Sequence, residues 1–73
     1  MTRLPRVSGH ECIKALKRTG FYFKRQSGSH IILRRDEPFS QVVVPDHQEL
    51  DRGTLRAIIQ AAGLSVDEFI ELL

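Results

Sequence analysis

Residues 21–35 read FYFKRQSGSHIILRR, and the reading of this stretch decides the fold. Phe21, Tyr22 and Phe23 lead into Lys24-Arg25-Gln26, an aromatic, alternating run with strand composition. His30-Ile31-Ile32-Leu33-Arg34-Arg35 is a second such run, and Ser27-Gly28-Ser29 between them is turn chemistry. The stretch therefore predicts a β-hairpin. Its register sets the company His30 keeps. A three-residue loop pairs His30 with Gln26 and puts it on one face with Tyr22, Lys24, Ile32 and Arg34. Phe21, Phe23, Ile31 and Leu33 are then left for the core. A two-residue loop joins His30 to Phe21 and Phe23 instead. The three-residue loop is preferred because it gives both phenylalanines aliphatic partners, and a slip of one residue would exchange the faces.

Outward from the hairpin, Asp36-Glu37-Pro38 breaks the second strand, and Gln41-Val42-Val43-Val44 is a third, short strand stopped by Pro45. Upstream, residues 1–6 form a short basic arm. Ser8-Gly9-His10-Glu11 then fits a capping box, with Val7 and Cys12 placed as a hydrophobic staple. Cys12, Ile13 and Leu16 share one side of this helix, Lys14, Lys17 and Arg18 the other, and Gly20 is a suitable stop. Downstream, Asp51 is the N-cap of a helix carrying Leu55, Ile58, Ile59 and Ala62, closed by Gly63. Ser65-Val66-Asp67-Glu68 is a second capping box, opening a last short helix with Phe69 and Ile70. The order is αβββα with a short extra C-terminal helix. Two helices flanking a three-stranded antiparallel meander pack on one sheet face, which makes a two-layer α+β domain like the double-stranded-RNA-binding fold.

At 73 residues the chain makes one domain, spanning 1–73, and at this size only about 60% of the unfolded surface is buried. The lone Cys12 excludes an internal disulfide and suits a reducing cytoplasm. No apolar run reaches the roughly 18–20 residues of a membrane span, and the opening residues lack the apolar core of a secretory signal. The net charge of +2 hides a division. Residues 1–35 hold nine basic side chains and one acidic, whereas residues 36–73 hold two basic and eight acidic. That asymmetry points to a polyanionic partner for the first half.

The chemistry concentrates around His30, which follows a tight turn and has Lys24, Arg25, Arg34 and Arg35 nearby in sequence. A neutral imidazole can take the proton of a ribose 2′-hydroxyl, which then attacks the adjacent phosphate, and cations can hold the phosphoryl oxygens. Gly28 and Ser29 let a phosphate approach the backbone. Against this stand plainer readings: His30 as an edge residue, the cations as a solvated face, and Ser27-Gly28-Ser29 as a turn only. His47 is the second candidate. Its His-x-Glu pattern is shared with zinc deaminases, but their Pro-Cys-x-x-Cys element is missing. The three histidines and scattered carboxylates do not form a standard metal set, so no metal or cofactor is expected. His10 reads as a solvated helix residue and Cys12 as core.

The ordered set Ser8-Gly9-x-Glu11, Leu16-Lys17-Arg18-x-Gly20-Phe21 and Arg25-x-x-Gly28-Ser29-His30 resembles the HicA (YcfA-like) mRNA interferase toxins. So does the later run Val44-Pro45-x-His47, Leu50, Gly53-Thr54-Leu55-Arg56, Ile59, Ala62-Gly63-Leu64. The resemblance implies a metal-independent endoribonuclease acting on mRNA in the cytoplasm, neutralised by a HicB-type antitoxin. His30 falls on the family's active-site histidine, and His47 on its second histidine. Lys24, Arg25, Gly28, Ser29 and Arg34, with Lys14, Lys17 and Arg18, are the expected RNA-binding residues. Authentic double-stranded RNA binders carry basic residues at the start of the second helix. Glu49 and Asp51 stand there instead, which fits single-stranded RNA. Two other classes fit the same residues: a non-catalytic RNA-binding module, and a protein-interaction domain.

Overall fold

In the computed structural model, which describes residues 3–73, Ser8 opens the first helix as a complete capping box. Its hydroxyl accepts the Glu11 amide at 3.0 Å, and the Glu11 carboxylate accepts the Ser8 amide at 2.8 Å. Helix α1 spans Gly9–Lys17 and buries Cys12, Ile13, Ala15 and Leu16. It ends before the expected Gly20, which adopts φ 95 in the turn leading to Phe21. Strands β1 (Tyr22–Ser27), β2 (His30–Asp36) and β3 (Phe39–Pro45) follow, then α2 (Arg52–Ala61) and α3 (Val66–Glu71). Asp51 caps α2 by accepting the Thr54 amide at 2.7 Å, and Ser65 with Glu68 closes the second capping box on α3. The first two residues of the expected basic arm, Met1 and Thr2, lie outside the described residues, while Leu4 packs against the core.

The sheet is an antiparallel meander in the order β1-β2-β3. Ile31, Leu33, Val42 and Val44 point from it into one core with Leu16, Leu55, Ile59 and Phe69. Both helices α1 and α2 sit over β3, and the opposite face of the sheet is open. The fold is thus the expected two-layer α+β arrangement with its extra C-terminal helix.

The hairpin departs from the expected register in an instructive way. The connection has two residues, not three: Ser27 pairs with His30 around Gly28-Ser29, with Gly28 at φ 58. A glycine at positive φ in the first central position is what a tight two-residue hairpin turn requires. Further along, Phe23 pairs with Leu33 and Tyr22 with Arg34, which is the register of the three-residue loop. A β-bulge between Phe23 and Arg25 absorbs the difference of one residue. As a result Tyr22, Ile32 and Arg34 share a face with His30 as expected, but Arg25 takes the place expected for Lys24.

The core reading needs one correction. Phe21 is buried as expected, whereas Phe23 is 52% exposed. Phe23 does point to the helix side with Leu33, but β1 is an edge strand, and the main contacts of α1 and α2 with the sheet fall on β3 at the other edge. Arg35 covers part of this edge from the helix side. Its guanidinium lies 4.7 Å over the Phe21 ring and donates to the Pro38 and Ala62 carbonyls.

Candidate functional site

Residues paired across an antiparallel sheet project to the same side, and successive residues alternate. The register therefore arranges the open face in four rows. Ser27, His30 and Pro45 form the row at the turn; Arg25, Ile32 and Val43 form the next; Tyr22, Arg34 and Gln41 follow; Asp36 and Phe39 close the face. His30 is exposed at the mouth of the turn, as are Arg25 and Tyr22, while Ile32 is buried between its neighbours Arg25 and Val43.

The turn before His30 is held on two sides. The Gln26 side-chain amide donates to the Gly28 carbonyl at 3.0 Å, and the Asp46 backbone amide donates to the Ser29 carbonyl at 2.6 Å. Around the Cβ position of Gly28 there is open space to 4 Å, so a ligand can come against this backbone. At the far end of the face, Asp36 organises a cluster. Its Oδ1 accepts from the Tyr22 hydroxyl at 2.9 Å and lies 3.2 Å from Arg34 Nε, an ion-pair distance without hydrogen-bond alignment. The Tyr22 phenol is raised above its ordinary value, first by that hydrogen bond and then by partial desolvation and the Asp36 charge. Arg34 also lies over the Phe39 ring, 5.1 Å from its centroid.

The expected cations divide between two surfaces. Arg25 and Arg34 share the open face with His30, and Lys24 is exposed at the bulge beside them. Lys14, Lys17 and Arg18 are exposed on the outer side of α1, in the helix layer behind the sheet. Arg35 turns to that layer as well.

His47 stands in the loop after β3, at the same end of the molecule as His30, since Pro45 is the strand partner of His30. Its carbonyl accepts the Gly9 amide at 2.9 Å, fixing the loop to the start of α1. Gly9 is needed for this approach, because a Cβ there would collide with the Pro45 carbonyl oxygen. A shallow depression at this joint is lined by Ser8, His10, Asp46, His47 and Gln48, and His10 Nε2 lies 3.2 Å from Asp46 Oδ1. The His10–Asp46 pair is absent from the sequence reading. Only the β2–β3 register, set by the turn at Glu37-Pro38, shows that Asp46 follows the partner of His30. Cys12 is fully buried and burial pushes its thiol up to about 12, so it stays protonated and unreactive. Among the described residues, no helix is long and apolar enough to cross a membrane.

With this geometry in place, comparison with protein families is decisive. The model of the HicA toxin of bacterial toxin–antitoxin systems matches residues 9–64, from the first residue of α1 to just past α2. The chain belongs to the HicA toxin family. A comparison with curated proteins found no match. Membership of the HicA family makes the chain the toxin half of a toxin–antitoxin pair, so an antitoxin partner goes with it. The matched segment contains the whole sheet, both histidines of the turn end and the joint at Gly9. It leaves out the whole of α3, which adds Phe69 to the core from outside the family segment.

Proposed function

We propose that this HicA-family chain is an endoribonuclease that cuts mRNA in single-stranded regions, with His30 as its acid/base residue. The observation that carries this reading is the open sheet face: an exposed imidazole beside an unobstructed glycine turn, with Arg25 and Arg34 on the same surface. In the forward step, neutral His30 takes the proton of a ribose 2′-hydroxyl. The 2′-oxygen bonds to the adjacent phosphorus, and the bond from phosphorus to the 5′-oxygen breaks. The leaving 5′-oxygen collects a proton, leaving a 2′,3′-cyclic phosphate and a free 5′-hydroxyl. Proton transfer of this kind contributes ~10²–10⁴-fold, and it runs on imidazole chemistry without asking for a metal. Arg25, in the row next to His30, offsets charge gathering on the phosphoryl oxygens, Arg34 meets phosphates further along the strand, and Gly28 and Ser29 let the reacting phosphate reach the turn. His47, at the same end, is the candidate for the second proton transfer. A HicB-type antitoxin silences the chain by covering this face.

Purified protein incubated with mRNA in EDTA tests the reading, with His30→Ala as control. Cleavage by the parent chain and none by His30→Ala is expected, with unchanged thermal unfolding and unchanged antitoxin binding. RNA still cut by folded His30→Ala, or growth arrest on its expression, overturns the assignment of His30. An intact parent chain that binds RNA but never cuts it between pH 5 and 8 overturns catalysis altogether.

A further inference from the structure

We infer that the open sheet face beyond His30 is a stacking platform for the bases of single-stranded RNA, with Tyr22 and Phe39 as its aromatic contacts. The inference rests on the ribonuclease reading above and adds to it where the strand runs once its phosphate is at the turn. Soluble domains bury large aromatic side chains where they can, yet Tyr22 is 39% and Phe39 64% exposed, with Val43 at 47% on the same face. These side chains are continuous with His30: the four rows run from the turn to Phe39, two residues apart along β2 and β3, with the bulge in β1 keeping Tyr22 in line. A strand entering at the turn is therefore carried onto the aromatics.

The rings are also set in place before any ligand arrives. Asp36 holds the Tyr22 hydroxyl at 2.9 Å, and Arg34 lies against Phe39 at 5.1 Å. A guanidinium beside an aromatic ring widens the flat surface on which a base can stack and adds a cation for the backbone. Every base has a π-face, so such a platform tolerates sequence while demanding unpaired bases, which a duplex does not offer. A protein partner would favour an uninterrupted apolar centre. Here each exposed aromatic alternates with a charged or polar neighbour: Arg34 and Gln41 beside Tyr22, Asp36 beside Phe39. The charge on this face, Arg25 and Arg34 against Asp36, favours a polyanion.

The test measures binding of a fluorescein-labelled single-stranded oligoribonucleotide to His30→Ala chain, with and without the pair Tyr22→Leu and Phe39→Leu. Loss of stacking predicts affinity weaker by roughly 5- to 150-fold per base contact removed. In the cleaving protein the same pair raises KM with kcat little changed, since the rings act remotely from the reacting atoms. Phe39→Tyr keeps a ring and is expected to bind like the parent, which separates stacking from general damage to the sheet. Unchanged affinity in the folded leucine pair refutes the platform while leaving the ribonuclease reading intact. A leucine pair that binds RNA normally but loses the antitoxin refutes it too, and gives the face to the protein partner. Failure of the parent chain to cut RNA strikes the ribonuclease reading itself, separately from either result.

Discussion

Replacing Gly9 with alanine tests the joint that fixes the loop of His47 to the first helix. The new methyl group would lie on the Pro45 carbonyl oxygen, and both partners are backbone, one at a helix start and one at a strand end. Neither can swing aside as a side chain would. Forced overpacking of this kind costs about 1–3 kcal/mol. If the segments part to relieve it, the 2.9 Å bond from the Gly9 amide to the His47 carbonyl is lost, a further ~0.5–1.5 kcal/mol. Alanine's better helix propensity returns up to about 1 kcal/mol. The net expectation is a loss of about 1–3 kcal/mol, which for a domain of this size lowers Tm by roughly 4–25 °C. Gly28 supplies the internal contrast. Its Cβ position is open, and its demand is only φ 58, so alanine there costs about 1–2 kcal/mol through backbone conformation. Asparagine tolerates the left-handed region, so at Gly28 it should be milder than alanine, whereas at Gly9 its larger side chain should be worse. Thermal and urea unfolding followed by circular dichroism read both series. A Gly9→Ala chain as stable as the parent, or the same alanine–asparagine ranking at both sites, refutes the steric argument.

Two further outcomes follow from groups with shifted titration. Tyr22 is the chain's one tyrosine, so its phenolate absorbance reports it alone; the titration midpoint should lie above 10.0 and return toward it in Asp36→Ala. Because the folded phenol is raised, its stabilising contribution is present below the unfolded pKa and lost as pH rises through the folded value. Alkaline unfolding of Tyr22→Phe should lack that component. Cys12, with its thiol near 12 and no exposed surface, should resist aromatic disulfide reagents in the native chain and react only as denaturant opens the core; rapid labelling of folded protein would contradict its burial.

What the sequence made legible was what is written locally. Ser8 with Glu11 and Ser65 with Glu68 are three residues apart and satisfy each other's backbone whatever the rest of the chain does, so both helix starts could be read directly. The strands and their order were legible for the same reason, through alternation and turn residues. The bulge at Lys24 was not, because it settles a conflict between distant demands. Gly28 favours a two-residue turn, while Phe23 favours pairing with Leu33, and only one extra residue in β1 satisfies both. Phe23 was misread because an aliphatic partner was taken as enough for burial, when burial also needs a helix overhead and the helices lie over β3. His10 and Asp46 are far apart in sequence, and nothing in either heptad of neighbours announces their contact. It exists because β2 and β3 bring Asp46 beside the turn while Gly9 brings α1 down onto the loop.

Charge shows most plainly how folding rearranges a linear pattern. The basic first half and acidic second half suggested one cationic surface around His30. The sheet instead divides the basic half into two sets. Lys24, Arg25 and Arg34 stay on or beside the open face, while Lys14, Lys17 and Arg18 lie on the outer side of α1. An α-helix with its side chains is about 10–12 Å across, so those three cations stand at least that far behind the sheet. At physiological ionic strength the Debye length is about 8 Å, and their pull on a strand lying across the open face is largely screened. The acidic half is not excluded from that face either, since Asp36 sits within it, orienting Tyr22 and Arg34. Positive charge near His30 is therefore modest, and RNA bound on this face as proposed above would draw on contacts that need no net charge as well as on Arg25 and Arg34. Exposed rings set among guanidinium groups supply such contacts. The cations of α1, exposed on the outer side of the helix, thus belong to a surface separate from the one that carries His30.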